Sequence, residues 1–284
     1  GRLRIKQTDM TAFEIGRNLA TTPGKVVFRS ETFELIQYSP TTAETHEYPL
    51  VIFPPWINKF YILDLNPKKS FVKWAVDQGL TVFIVSWVNA NEAQGRKSFS
   101  DYMREGFLTA IQAAQDATGA EKVNVIGYCI GGTLTAASLG YMAAQNDNRV
   151  NAATFFTTHV DFEKAGDLLV YVDEEQVKWI EDRMADKGYL PGSRMADAFN
   201  LLRSNDLIWS YVVNNYMLGK DPMHFDLLYW NADSTRMPAG VHSFYLRECY
   251  MANKLSQGKM VLDNVRVDLK KVKIPVYNLA ARED

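Results

Sequence analysis

The sequence predicts an α/β fold built on a mostly parallel, doubly wound sheet. Short apolar runs of strand length recur through the first half, helix-prone amphipathic runs separate them, and the sharpest of the strands ends in a glycine-bracketed turn that leads straight into a helix-prone segment. With 284 residues, 47% of them hydrophobic, the chain holds enough apolar material for one large domain or one domain with an insertion.

The elements follow in order. Phe33-Glu34-Leu35-Ile36-Gln37-Tyr38 reads as a strand, residues 49–53 as the next, then 80–85 and 122–126. The last three have few polar interruptions, as parallel strands covered on both faces do. Ser98-Phe99-Ser100-Asp101 has the form of a capping box with Asp at the third helical position, and Tyr102, Phe107, Ala110, Ile111 and Ala114 keep one apolar stripe until Gly119 stops it. A helix is expected to open at Thr133, with strands at 152–157 and 274–280.

The interval from about His159 to Lys273 is far longer than an ordinary connection, and residues 161–260 hold seven of the ten methionines. We read it as an aromatic- and Met-rich cap inserted into the sheet domain. The expected organisation is a core over 1–158, a cap over 159–273 and a return to the core over 274–284. Most of the cap's aromatic side chains, among them Trp179, Trp209, Tyr216, Trp230, Phe244 and Tyr250, are expected to build a second core. The remainder would line an apolar path toward Cys129.

Composition narrows the function. Lys and Arg number 31 against 33 Asp and Glu, a net charge of -2 with no basic stripe, which argues against a nucleic-acid partner. Two cysteines, Cys129 and Cys249, make no disulfide framework, and no Cys/His cluster has zinc spacing, so no metal is expected. The start, Gly1-Arg2-Leu3-Arg4-Ile5-Lys6-Gln7-Thr8, is too polar for a signal peptide, and no apolar stretch approaches the ~20 residues of a membrane span. A reducing cytoplasm suits such a chain.

The chemistry centres on Gly127-Tyr128-Cys129-Ile130-Gly131-Gly132, which follows the apolar run Val123-Asn124-Val125-Ile126. A strand entering a sharp turn, with glycines two residues before and after a nucleophile, is the pattern of a nucleophile elbow. The nucleophile here is a thiol. The positive end of the following helix favours thiolate, and the backbone amide of Ile130 can donate to an oxyanion. Prolines and Trp56 follow the second strand, where α/β-hydrolases carry a second oxyanion donor, and the amide of Ile57 is the candidate; the prolines read equally well as ordinary loop punctuation. Asp284, after the last strand, stands where that fold places its orienting acid, in the order nucleophile, acid, histidine. His46, His159, His224 and His242 all precede it. The base is therefore expected to be a histidine beyond the chain end, and the sequence to be a fragment that stops before it. His159, which closes the strand after the elbow helix, reads mainly as a loop or packing residue.

These residues carry a resemblance. Pro54-Pro55-Trp56-Ile57-Asn58-Lys59 with Tyr61-Ile62-Leu63-Asp64-Leu65, then Ser86-Trp87, the elbow, Phe225-Asp226-Leu227-Leu228-Tyr229-Trp230-Asn231 and Arg282-Glu283-Asp284 resemble, in order and over nearly the whole chain, the catalytic domain of a polyhydroxyalkanoate synthase of the class I type. The resemblance implies an α/β-hydrolase core with a cap, Cys129 as the acyl-carrying nucleophile and Asp284 as the triad acid. It implies (R)-3-hydroxyacyl-CoA thioesters as substrates, polymerised into an intracellular polyester with release of CoA. No separate cofactor is called for, since CoA is carried by the substrate. A homodimer at the surface of a cytoplasmic polyester granule is implied as well. The sequence departs from the family pattern at Val88, where Arg usually follows the Trp, and the family's N-terminal domain is expected to be absent. Two other readings fit the elbow: a Cys-nucleophile hydrolase of esters or lactones, and a catalytically inactive granule-associated partner.

Overall fold

A computed structural model describes residues 7–194, 200, 204–221 and 224–282. Seven strands form the main sheet: β1 (Gly24–Arg29), β2 (Phe33–Tyr38), β3 (Leu50–Phe53), β4 (Val82–Trp87), β5 (Val123–Tyr128), β6 (Val150–Phe156) and β7 (Val276–Leu279). Their spatial order is β1-β2-β4-β3-β5-β6-β7. β1 and β2 form an antiparallel hairpin, β2 joins β4 antiparallel, and every pairing from β4 to β7 is parallel.

Alternation along the central strands sends side chains to two separate apolar layers. Val51, Phe53, Phe83, Val85, Val123 and Val125 face the layer shared with the helices α2 (Thr109–Thr118) and α3 (Ile130–Ala144). Leu50, Ile52, Val82, Ile84 and Ile126 face α1 (Phe71–Asp77). Helices on both faces make the sheet doubly wound, and a strand covered on both sides can be apolar throughout. All four residues of β3 are buried.

Local chemistry sets the helix ends. The Ser70 hydroxyl accepts from the Lys73 amide to cap α1. The capping box at Ser98 and Asp101 forms, and Tyr102, Phe107, Ala110, Ile111 and Ala114 are buried as their spacing requires. The chain from Tyr102 to Leu108 widens into π-helical turns before α2, which ends at Gly119 with a φ of 72°.

Between β6 and β7 lie α4 (Glu174–Ala185), α5 (Asp226–Ala232), α6 (Ala239–Phe244) and a π-helical continuation, Tyr245–Met251. Here the structure corrects one expectation. The buried apolar residues of the later part, Met237, Val241, Tyr245, Cys249, Met260 and Val267, belong to the same cluster as the sheet and α3. They extend the main core. Trp179, Trp209 and Tyr216 are instead more than half exposed. A composition count registers aromatics without knowing which helix face carries them, and so did not separate these two groups. β1 went unread as a strand because it is an exposed edge with a register shift between Val26 and Phe28.

Candidate active site

Cys129 joins β5 to α3, with φ 54° and ψ -125°. That conformation is costly for a residue with a Cβ and persists only where neighbours over-determine it. They do so on three sides. The Cys129 amide donates to the Phe156 carbonyl on β6 at 3.0 Å, and the Gly132 and Thr133 amides donate to the Cys129 carbonyl at 2.9 and 3.1 Å. The flanking glycines leave no room for side chains: a Cβ on Gly127 would lie 2.5 Å from Cα of Gly132, and one on Gly131 would lie 2.6 Å from the Pro54 carbonyl oxygen. A Cβ on Gly132 would run into the Thr158 side chain.

The sheet order reverses direction at β3, since β4 lies to one side of it and β5 to the other. The crevice at the carboxyl ends of such neighbouring strands is where open α/β sheets bind ligands. The chain after β3 and the elbow after β5 both open there. Ile130 is the first residue of α3 and is fully buried. With Gly132 and Thr133 folded back onto Cys129, the Ile130 and Gly131 amides are first-turn donors that the helix itself does not use. Ile57 is half-buried in the loop after β3. Asp284 lies outside the described residues.

Two tyrosines lie close enough to Cys129 to feel its charge. Tyr245 and Tyr250 pack edge-on at 5.3 Å between centroids, and Thr133 in the first turn of α3 donates its hydroxyl to the His159 carbonyl at 2.8 Å. Burial, followed by the charge of Tyr250 and of Cys129, holds the Tyr245 phenol well above its ordinary range. Burial pushes the Tyr250 phenol up to about 12, with Cys129 adding to the rise. Both are therefore neutral donors at physiological pH. Phe162 packs against both rings, at 5.7 and 4.9 Å between centroids. Arg247, between the two tyrosines in sequence, ties their turn to α4 through Glu181 (2.7 and 2.8 Å) and Glu174. The Arg247 guanidinium is the main cause holding the Glu181 carboxyl down at about 2.

The histidines are dispersed. His46 bonds the Gln78 carbonyl at the surface, and His224 is exposed beside Asp9. The His159 ring packs edge-on against Phe162, and His242 is buried. Cys249 is fully buried, with its thiol pushed up by burial and then by the Glu248 charge. Among the described residues, no three His, Cys, Asp or Glu side chains gather as a metal site, and no helix is long and apolar enough to cross a membrane. Sequence reasoning counted Tyr250 as cap aromatic content and did not single out Tyr245, Thr133 or Thr158. Their signal is the folded proximity of residues well separated in the sequence.

Comparisons with known proteins agree with this geometry. Residues 1–75 match a family model described as "Poly-beta-hydroxybutyrate polymerase (PhaC) N-terminus", and residues 48–284 match the alpha/beta hydrolase fold. The first match covers residues read above as the opening of the core. Over all 284 residues the chain is 62% identical to a poly(3-hydroxyalkanoate) polymerase of Methylorubrum extorquens, covering 47% of it. The corresponding figures are 57% identity and 46% coverage for the polymerase subunit of Rhizobium meliloti (strain 1021). For that of Cupriavidus necator, identity is 43% over 289 residues and coverage 49%. The chain thus spans about half the length of the curated relatives it matches. Its elbow, its parallel sheet and the match over residues 48–284 make it a member of the alpha/beta hydrolase fold family, aligned along its whole length with poly(3-hydroxyalkanoate) polymerases.

Proposed function

We propose that this chain is the acyl-transferring part of a poly(3-hydroxyalkanoate) polymerase that uses Cys129 as its nucleophile. One observation carries the reading: a thiol held at φ 54° where β5 meets α3, near two buried, neutral tyrosines, in a chain whose relatives are named polymerases. The Cys129 thiolate attacks the thioester carbonyl of an (R)-3-hydroxyacyl-CoA, and the tetrahedral oxyanion is met by the Ile130 and Ile57 amides. The carbon–sulfur bond to CoA breaks, CoA leaves as a thiolate that takes up a proton, and the acyl group remains on Sγ. A hydroxyl of the next monomer or of the growing chain then attacks this thioester. Its proton passes to a base, the new ester bond forms, and Cys129 leaves as thiolate.

A thioester keeps the acyl group activated, whereas a serine ester would be a lower-energy intermediate. The base is a histidine outside residues 1–284, oriented by Asp284, and no cofactor is needed beyond the CoA that the substrate brings. The cap over 159–273 serves to exclude water and to accept an apolar polyester. The working species is a homodimer at the surface of a cytoplasmic polyester granule.

The test is acyl labelling of the full-length polymerase with radiolabelled (R)-3-hydroxybutyryl-CoA. Label on the Cys129 peptide, CoA release and polymer formation, all lost in Cys129→Ala, are expected. Release of monomeric hydroxy acid in place of polymer would overturn the reading in favour of a hydrolase.

A further inference from the structure

Two sequence motifs far apart in the chain, the loop after β3 and the Asp226–Thr235 stretch, lie side by side along their whole lengths. At one end the Asn66 side-chain amide and the Lys69 ammonium reach Asp226 at 2.6 and 2.9 Å. Next, the Trp230 indole donates to the Lys59 carbonyl at 2.8 Å, while Asp233 takes the Tyr61 hydroxyl at 2.8 Å and the Lys59 ammonium at 3.0 Å. Asn58 forms a β-bridge with Ser234. At the end nearest the elbow, the Thr235 amide donates to the Ile57 carbonyl at 3.0 Å and its hydroxyl to the Trp56 carbonyl.

The last contact bears on chemistry through the geometry of one peptide unit. The Trp56 carbonyl and the Ile57 N–H belong to the same planar trans amide, so fixing the direction of one fixes the other, pointing the opposite way. Thr235 is buried, at 6% exposure, so a carbonyl deprived of its hydroxyl has little access to water as a substitute. We propose that Thr235 is a positioning residue for the oxyanion site: its hydroxyl holds the Trp56–Ile57 peptide so that the Ile57 N–H faces the reacting carbonyl beside Cys129. The wider zipper makes the loop and the Asp226–Thr235 stretch one unit, so a shift of that stretch reorients the donor.

This rests on the assignment of Ile57 as an oxyanion donor, and the experiment separates the two. In the full-length polymerase, Thr235→Val keeps the side-chain shape and deletes the hydroxyl. Loss of a whole oxyanion donor costs about 10²–10³ in kcat, and misdirecting one should cost about 10–100-fold. The expected result is that loss in kcat for (R)-3-hydroxybutyryl-CoA, with KM within about threefold of wild type and recovery in Thr235→Ser. Iodoacetamide alkylation of Cys129, a displacement at saturated carbon that builds no oxyanion, should proceed at the wild-type rate. Unchanged kcat in Thr235→Val, no recovery in Thr235→Ser, or alkylation slowed in parallel with kcat would each overturn the proposal. Cys129→Ala that retains CoA release would instead overturn the reading beneath it.

Discussion

The Trp87 indole donates its N–H to the Pro54 carbonyl oxygen at 2.8 Å, so the end of β4 holds the first residue after β3 in place. The indole is itself fixed, stacked on Tyr102 at 5.0 Å between centroids and edge-on to Trp56 at 5.5 Å. Since Pro54 also packs against Gly131 in the elbow helix, Trp87 sets the spacing between the two sides of the crevice. Trp87→Phe keeps an aromatic ring and leaves the Pro54 carbonyl without this donor. The expected result is a loss of about 1–2 kcal/mol in denaturant unfolding, with a fall in kcat larger than any change in KM. Equal stability of variant and wild type would contradict this role.

The space at Gly132 gives a second prediction. An added Cβ would collide with Oγ1 and Cγ2 of Thr158, which is held by its hydrogen bonds to the Gly127 and Phe156 carbonyls. Gly132→Ala should cost about 1–3 kcal/mol through overpacking. Thr158→Ala in the same chain should recover part of that loss, because the two nearest atoms are gone while the Thr158 Cβ, 2.8 Å away, remains. A double-mutant cycle measured by urea unfolding should show favourable coupling between the changes. Strict additivity would mean that the elbow accommodates the methyl group elsewhere.

The elbow was legible before any coordinates because its signal is local: a strand, a thiol and three glycines within ten residues, each required by the turn itself. The buried central strands were legible for a related reason, since Leu50–Phe53 and the apolar part of β4 have two covered faces and no polar interruption. Distance in sequence hid the rest. Tyr245 meets Thr133, and Thr235 meets Trp56, only because α6 and its continuation pack into the core of the sheet. Neither position has a composition or spacing that marks it. The family motifs around Trp56 and Trp230 pointed to function without revealing that they touch.

The two thiols differ in environment and should differ in reactivity. Cys249 is fully buried, and burial pushes its thiol far above the ordinary range, whereas Cys129 is partly exposed at the crevice. Alkylation requires both access and thiolate. Brief iodoacetamide treatment near neutral pH, followed by peptide mapping, should modify Cys129 well before Cys249. Preferential modification of Cys249 in the folded protein would rule out the site assignment.

His242 supplies a pH dependence whose sign can be worked out. It lies in α6 at 4% exposure, and no hydrogen-bond partner meets its Nδ1. Burial alone pushes its pKa down from 6.5 to about 4. Between those values the unfolded chain binds the proton and the folded chain does not, so stability is complete above about pH 6.5 and declines as the pH falls toward 4. The slope should approach about 1.4 kcal/mol per pH unit in the middle of that window. Glu181, held at about 2 by Arg247, adds to the decline only as the pH nears its ordinary value of 4.5, so the upper part of the window belongs to His242. Urea unfolding of wild type at pH 7, 6, 5 and 4.5 should show the decline, and His242→Gln, which carries no titrating group, should flatten it. Parallel curves for the two proteins across this window would assign the acid sensitivity to other groups.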